Sequence, residues 1–248
     1  MNSEVRLERL TQPEVEACFQ STHLAVLAPG SVEQHGPHLP LGTDAFAAIA
    51  IADAVARRLN TVLVPLPLVG VSPYHQSWAG SLTFQPQTFI AVVEDICESL
   101  ARHKVDKILF VNWHEGNSTA LRLAGDSVQR KFNQKVVIAE SHLITNKLFG
   151  ERAQLTHAGN METAAVLMYD PSLVDVSKAT NPSSQPDADA MHAVFRQKDV
   201  FPILRDFHQV APTGWYGNPG EATIELADEI RTKVSQYIAE RAGIEFGR

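Results

Sequence analysis

A three-layer α/β/α fold with a mostly parallel central sheet is predicted for this 248-residue chain by two features of its sequence. Short apolar runs alternate with longer amphipathic segments, and polar clusters follow the apolar runs instead of interrupting them. Strand, helix, strand, helix in that order implies parallel strands, because each helix returns the chain to the start of the next strand, and helices then cover both faces of the sheet.

Each element has its own signal. His23-Leu24-Ala25-Val26-Leu27-Ala28 reads as a buried strand stopped by Pro29-Gly30. Ala45 to Leu59 carries small and apolar residues at helical spacing and ends in Arg57-Arg58, where cations suit the negative end of the helix dipole. Thr61 to Leu68 is β-rich, and Pro65 and Pro67 mark it as a sheet edge or a strand end. Pro86 to His103 is a second helix, Val105 to Val111 the most apolar strand, Ser118 to Phe132 a third helix and Lys135 to Ala139 a further strand. Thr180 to Asp189, rich in Pro, Ser and Asp, reads as an exposed loop. The glycine-rich turn from Gly214 to Gly220 opens a final helix, Glu221 to Ala242. With no repeat and no linker, residues 1–248 are expected to form one domain around one sizeable core.

Composition excludes several classes of function. The formal charge of −7 and the pI near 5.8 argue against general nucleic-acid binding, which needs a basic face to displace counterions from phosphate. Cys18 and Cys97 each lie within a predicted helix and read as free thiols, not as a disulfide framework. The N-terminus lacks a basic start followed by an apolar run, and no apolar stretch approaches the roughly 20 residues of a membrane span. A cytoplasmic protein with no membrane partner is expected.

In parallel sheets, ligands collect beyond the carboxyl ends of the strands. Glu33 to Asp44, Tyr74 to Ser81 and Asn112 to Asn117 all fall there. The first segment holds Glu33, His35, His38 and Asp44 within twelve residues. Carboxylate oxygen and imidazole nitrogen together suit Zn²⁺, Mn²⁺ or Fe²⁺. In an extended segment Glu33 and His35 point to the same side, while Pro37, Pro40 and Gly42 turn the chain so that Asp44 returns toward them. Asp44 also directly precedes the helix and suits its N-cap. His114 reads as a ligand, with Glu115 beside it, and Asn117 suits the N-cap of the next helix. A last cluster, His157 to Thr163, opens an apolar helix reaching Tyr169. Its Glu162 is favoured by the helix dipole, and His157 and Glu162 can face one cavity.

Glu-x-His-Gly-x-His-Leu-Pro-x-x-Thr-Asp at 33–44, Asn-x-His-x-x-Asn at 112–117 and His-Ala-Gly-x-x-Glu-Thr at 157–163 together resemble the creatininase (creatinine amidohydrolase) family. A weaker echo is the Gly-x-Pro-x-x-Ala-Thr pattern ending at Ala222-Thr223. The resemblance implies an α/β/α domain with two divalent metal ions per subunit (Zn, Mn or Fe) in a ring-like homo-oligomer, commonly a hexamer. By motif position, Glu33, Asp44 and His114 hold one metal, Asp44 bridges to the second, and His35 is a ligand of that second metal. Creatininase carries a further Glu two residues after the histidine matching His114. Here that position is Gly116, so Glu162 becomes the candidate for the remaining ligand, with Glu115 in reserve. The stretch from Gly70 to Ser81 is similar to a family segment that usually ends aromatic-Pro-Gly-Thr. Its ending here, Trp78-Ala79-Gly80-Ser81, implies an altered pocket for a small-molecule substrate, with Tyr74, His75, Trp78, Gly80 and Ser81 as binding residues.

The chemistry expected of such a site is hydrolysis of a C–N bond, of a cyclic amide or formamide type, by a water activated between the metals. His157 is then the proton donor to the leaving nitrogen, and Glu115 the alternative shuttle. No Gly-x-Ser-x-Gly elbow offers a seryl nucleophile. His38 is expected to orient Asp44 or the loop without binding metal. Two other readings stand beside this one. One is a family member cleaving the C–C bond of a ring ketone in a sugar-like or inositol-derived substrate, and the other a non-catalytic, metal-stabilised oligomer. The carboxylate-rich ligand set and the unassigned His157 favour catalysis, since structural sites are usually fully ligated by protein.

Overall fold

Strands β1 (Leu24–Leu27), β2 (Val62–Val64), β3 (Lys107–Asn112) and β4 (Lys135–Glu140) form one sheet in the order β2-β1-β3-β4. The computed structural model describes residues 4–180, 199–200 and 202–247. All pairings are parallel, with Val26 of β1 opposite both Leu63 and Leu109, and Phe110 of β3 opposite Ile138. Helices α1 (Gln12–Thr22), α2 (Thr43–Leu59), α3 (Pro86–Arg102), α4 (Ser118–Phe132), α5 (Ser141–Phe149), α6 (Asn160–Tyr169) and α7 (Ile224–Phe246) surround it.

The strands are apolar on both faces because each face is covered. Leu24 and Val26 of β1 and Leu109 and Val111 of β3 pack with Ala48 and Ile51 of α2, Met161 of α6 and Ile230 and Val234 of α7. The intervening Ala25, Leu27, Ile108 and Phe110 pack on the other side with Phe19 of α1, Val93 of α3 and Leu121 of α4. This alternation is the period-two rule of a strand acting on a sheet buried from both sides. Each fully buried Leu, Ile or Phe contributes about 1.5–3 kcal/mol. The expected three-layer α/β/α fold is the observed one.

Strand order places the site. β1 feeds α2 on one face of the sheet, whereas β3 feeds α4 on the other. The loops leaving the adjacent β1 and β3 therefore diverge, and a crevice opens at their carboxyl ends.

Element ends differ from expectation for local reasons. His23 is the left-handed C-cap of α1 (φ 52°), and its carbonyl accepts from the N–H groups of Asp106 and Lys107, so β1 and β3 begin later than their apolar runs. Pairing in β2 stops at Val64, just before Pro65, as a missing N–H requires. α7 begins at Ile224, where the Thr223 hydroxyl accepts from the Leu226 N–H (3.1 Å). α5 was not expected, since its nine residues include Thr and Ile and carry little helical periodicity. Of the expected loop from Thr180 to Asp189, only Thr180 lies within the described residues. Cys18 is half-buried in α1 and Cys97 buried in α3, both free, and burial pushes the Cys97 thiol up to about 12. Among the described residues, no helix is long and apolar enough to cross a membrane.

Candidate metal centre

The loop after β1 supplies the first residues. It is closed by the Glu33 N–H on the Leu41 carbonyl (2.8 Å) and by the Leu82 N–H on the Val32 carbonyl (2.8 Å). α2 begins one residue earlier than Asp44, with Gly42 at the N-cap position. Asp44 thus stands in the first turn, and its carboxylate is turned inward instead of capping the helix. Its Oδ1 lies 3.5 Å from His35 Nε2 and its Oδ2 lies 3.0 Å from His114 Nδ1. One carboxylate thereby faces two imidazoles, one on each oxygen.

Backbone contacts fix which nitrogen each ring presents. The Nδ1–H of His35 donates to the Glu33 carbonyl (3.1 Å), leaving Nε2 turned toward Asp44 and toward Glu162 Oε2 (3.5 Å). That Nε2 is buried and has no hydrogen-bond partner. His114 is oriented the other way round, with Nε2–H donating to the Val71 carbonyl (3.1 Å) and Nδ1 facing Asp44. Outer-shell bonds of this kind select the tautomer of a ligating histidine. Glu33 Oε2 sits 3.4 Å from His114 Nε2 and accepts from the Ser31 hydroxyl (2.8 Å) and from the Ser72 hydroxyl. Three overlapping groups have ligand atoms within 4.8 Å of one another: Glu33, His35 and Asp44; His35, His157 and Glu162; and Glu33, His75 and His157.

Charge in this cluster is unbalanced. Glu33, Asp44 and Glu162 are buried and ion-pair with histidines, and among the described residues no Lys or Arg lines the cleft. Burial disfavours a charged His35, yet the Asp44 and Glu162 carboxylates outweigh it and raise the ring to about 10. His114 is raised to about 9 in the same way, against burial, by Glu33 and Asp44. Burial lifts Glu162 to about 7, with His35 opposing. It acts against ionisation of Asp44 too, but His35 and His114 hold that carboxyl well below the usual range. Buried carboxylates in this number call for cations.

Two more imidazoles close the cluster. His75 Nε2–H points at Glu33 Oε1 (3.2 Å), because the Gln34 amide nitrogen donates to His75 Nδ1 (3.1 Å). The same amide nitrogen is 3.0 Å from His157 Nε2, which also lies 2.8 Å from the Gln34 carbonyl. Burial pushes His75 down to about 4. Burial, reinforced by His35 and His75, holds His157 well below the ordinary histidine range. The rings stack in series, His35 to His157 at 4.4 Å and His157 to His75 at 4.9 Å, and Phe207 packs on the last two.

Glycines against main chain, and one asparagine side chain, set the spacing of the loops. A Cβ on Gly30 would lie 2.3 Å from Ala45 Cα, one on Gly70 2.3 Å from the Gly30 oxygen, and one on Gly116 2.3 Å from the Val71 oxygen and 2.4 Å from His114 Nε2. Asn117, expected to cap α4, instead staples these loops: Oδ1 accepts from the Val71 N–H (2.9 Å) and Nδ2 donates to the Gly30 carbonyl (2.9 Å). Position 116 therefore has no room for a glutamate side chain, and Glu162 is the carboxylate beside His35. Gly30→Ala is expected to force the first turn of α2, which carries Asp44, away from β1. That overpacking costs about 3 kcal/mol and lowers Tm by roughly 6–12 °C in a chain of this size. An unchanged melting curve would mean the loops do not depend on this contact.

The expected site residues divide. Glu33, His35, Asp44, His114, Glu162 and His157 come together, and Tyr74 and His75 line the same cleft of about 490 Å³. Glu115 is exposed on its wall, outside the grouped ligands. Trp78, Gly80 and Ser81 do not line it, and Gly80 and Ser81 contact the first loop instead. Trp78 packs on His208 (5.0 Å), Gly80 turns with φ 88° against Leu41, and the Ser81 hydroxyl accepts from the Gln34 N–H (3.0 Å). Sequence reasoning missed Ser31, Gln34, Ser72 and Phe207. Ser31 had a readable signal, since it lies two residues before Glu33 on the same side of an extended segment. Phe207 had none. His38 contacts the Ala158 carbonyl and not Asp44.

The chain matches the family model for creatininase, described as creatinine amidohydrolase, over residues 8–242. It is 30% identical to a mycofactocin precursor peptide peptidase of Mycobacterium ulcerans (strain Agy99), covering 88% of this chain and 87% of that one. It is 26% identical to a creatinine amidohydrolase of Pseudomonas putida, with 99% of both chains covered. A crystal structure of creatinine amidohydrolase (creatininase) superposes with a TM-score of 0.82 at 25% identity over 100% of both chains. Solved creatininase structures include a Zn–Zn type and a Mn form.

Proposed function

The chain belongs to the creatininase family, and from that premise we propose that it is a metal-dependent amidohydrolase cleaving a C–N bond of a cyclic amide or formamide type. The observation that carries this reading is Asp44, which turns one oxygen to His35 Nε2 and the other to His114 Nδ1. The donor set fits two divalent cations. Glu33, Asp44 and His114 would hold one, and His35, Asp44 and Glu162 the other, with the unpartnered His35 Nε2 as the buried atom awaiting a ligand bond. When bound, such ions supply an acidified water and a Lewis-acid contact for the scissile carbonyl.

The chain's own residues do the rest. Ser31 and Ser72 hydroxyls and the His75 N–H fix both oxygens of Glu33. His157, buried, neutral and braced by Gln34, takes up a proton in the cleft and passes it to the leaving nitrogen. Glu115, exposed at the wall, is the alternative route by which that proton exchanges with solvent. The cleft lies within the range of small-molecule sites. With no Lys or Arg among its described lining residues, its Tyr74, Trp113, Phe207 and Tyr216 walls suit an uncharged body.

Metal uptake is expected to release protons. His35 and His114, raised to about 10 and about 9, are protonated at neutral pH in the metal-free cluster and must lose those protons to coordinate. About two protons per chain should leave at pH 7.5, and affinity should rise with pH until both rings are deprotonated. Calorimetry in buffers of different ionisation enthalpy measures this, and binding without proton release would count against these two ligands.

A second reading, cleavage of a peptide amide, has its own support. The relative at 30% identity is a peptide peptidase, and Ile203, which is 84% exposed, stands at the cleft mouth beside Pro202 and Leu204 as an apolar rest for a longer substrate. The deciding experiment assays metal-loaded protein against creatinine, formamides and short peptides. Turnover of the small amides supports the first reading, and turnover of peptides alone the second. Two bound metals with no metal-dependent turnover of any would leave a non-catalytic, metal-tied assembly.

A further inference from the structure

Glu162 depends for its aim on a turn that is clamped from the opposite loop. The N–H of Ala158 donates to Glu162 Oε2, the same oxygen that stands 3.5 Å from His35 Nε2. Ala158 adopts a left-handed conformation (φ 54°), which a residue with a Cβ takes at a cost of roughly 1–2 kcal/mol. The hold on that conformation comes from His38. Its Nε2–H donates to the Ala158 carbonyl at 2.8 Å, and the side chain is only 2% exposed. The ring itself is fixed, edge-on to Trp215 at 5.3 Å, and the His38 carbonyl accepts from the Asp175 N–H at 3.0 Å. The peptide groups on both sides of Ala158 are thus held, one by Glu162 and one by His38.

We propose that His38 is a positioning residue for one metal position only: by gripping the Ala158 carbonyl it locks the turn that aims Glu162 at His35. This rests on the two-metal reading above. The selectivity follows from the fold. Glu33, Asp44 and His114 are held by contacts that do not pass through His38: the Ser31 hydroxyl on Glu33 and Asp44, the Ser72 hydroxyl on Glu33, the Val71 carbonyl on His114, and Asn117 between the loops after β1 and β3. Loss of the His38 clamp therefore leaves those three residues in place and releases Glu162 alone. Residues one shell out from a metal typically alter its affinity by 10–100-fold.

The test titrates metal-free full-length protein with Mn²⁺ and with Zn²⁺, counting ions and affinities. Wild type should bind two ions. His38→Ala should keep one at wild-type affinity and weaken the other by about 10–100-fold. His38→Phe keeps a ring against Trp215 without the donor and should match it, while His38→Gln, which restores an N–H donor, should recover part of the loss. Two outcomes overturn the proposal: both variants binding both ions as wild type does, or both ions weakening together. If His38→Ala does not fold, His38→Phe and His38→Gln carry the comparison alone. A wild type that binds fewer than two ions overturns the two-metal reading and this proposal with it, whereas failure of the variants alone leaves that reading intact.

Discussion

Asp44→Ala is expected to empty both metal positions at once and to lower kcat/KM by about 10³-fold or more, the equivalent of several kcal/mol of transition-state stabilisation. No other side chain in the cluster should have so broad an effect, because Asp44 is the carboxylate that stands between His35 and His114, at 3.5 and 3.0 Å, and so belongs to both proposed metal positions. Glu33→Ala strips a carboxylate from the His114 side, and Glu162→Ala one from the His35 side, so each should reduce metal content by about one ion per chain. Elemental analysis after metal loading and desalting separates these cases. If Asp44→Ala retained one tightly held ion, the bridging role would be wrong, and the grouped residues would form two independent sites or one.

His157→Ala is the second large effect, a fall in kcat of about 10²–10⁴-fold with metal content unchanged. The ring is stacked on His35 at 4.4 Å and tied at Nε2 to Gln34, so its position is set whether or not substrate is present. The measurement has two arms because His157 is also grouped with His35 and Glu162 as a possible ligand. A drop in kcat with full metal content marks a proton carrier. A drop that tracks the loss of an ion marks a ligand and reassigns the proton transfer to another residue, with Glu115 next in order.

Much of the scaffold was legible because it is dictated by local pattern. Leu24 to Leu27 and Lys107 to Asn112 are apolar on both faces, and such runs separated by amphipathic helices have few alternatives to a covered parallel sheet. The grouping of Glu33, His35, Asp44 and His114 was legible from motif spacing and from the rule that strand ends gather ligands, and the place of Glu162 beside them from the family resemblance. Helix ends were less so. Asp44 and Asn117 both stand where a cap is expected, yet neither side chain caps. The competing partners, two histidines for Asp44 and two loop backbones for Asn117, are remote in sequence, and tertiary bonds took precedence over local ones. Trp78, Gly80 and Ser81 stand outside the cleft lining for the converse reason. Closeness along the chain to His75 says nothing of which side of a loop a residue faces once Gly80 reverses it. The Gly30, Gly70 and Gly116 contacts were invisible, since a glycine that meets another backbone looks like any loop glycine in sequence.

Those backbone contacts have a consequence for how such a protein diversifies. The candidate metal ligands other than Glu162 sit on loops, or in the first turn of α2, whose mutual distances are set by glycine against main chain and by Asn117, where almost any added atom collides. The wall formed by Pro202, Ile203, Leu204 and Phe207 comes from a separate stretch of chain, and meets the cluster through the ring of Phe207 on His75 and His157. Natural variation can accordingly rewrite the wall while the cradle stays frozen. One inherited reaction centre is thereby free to meet new substrates through a single interchangeable panel.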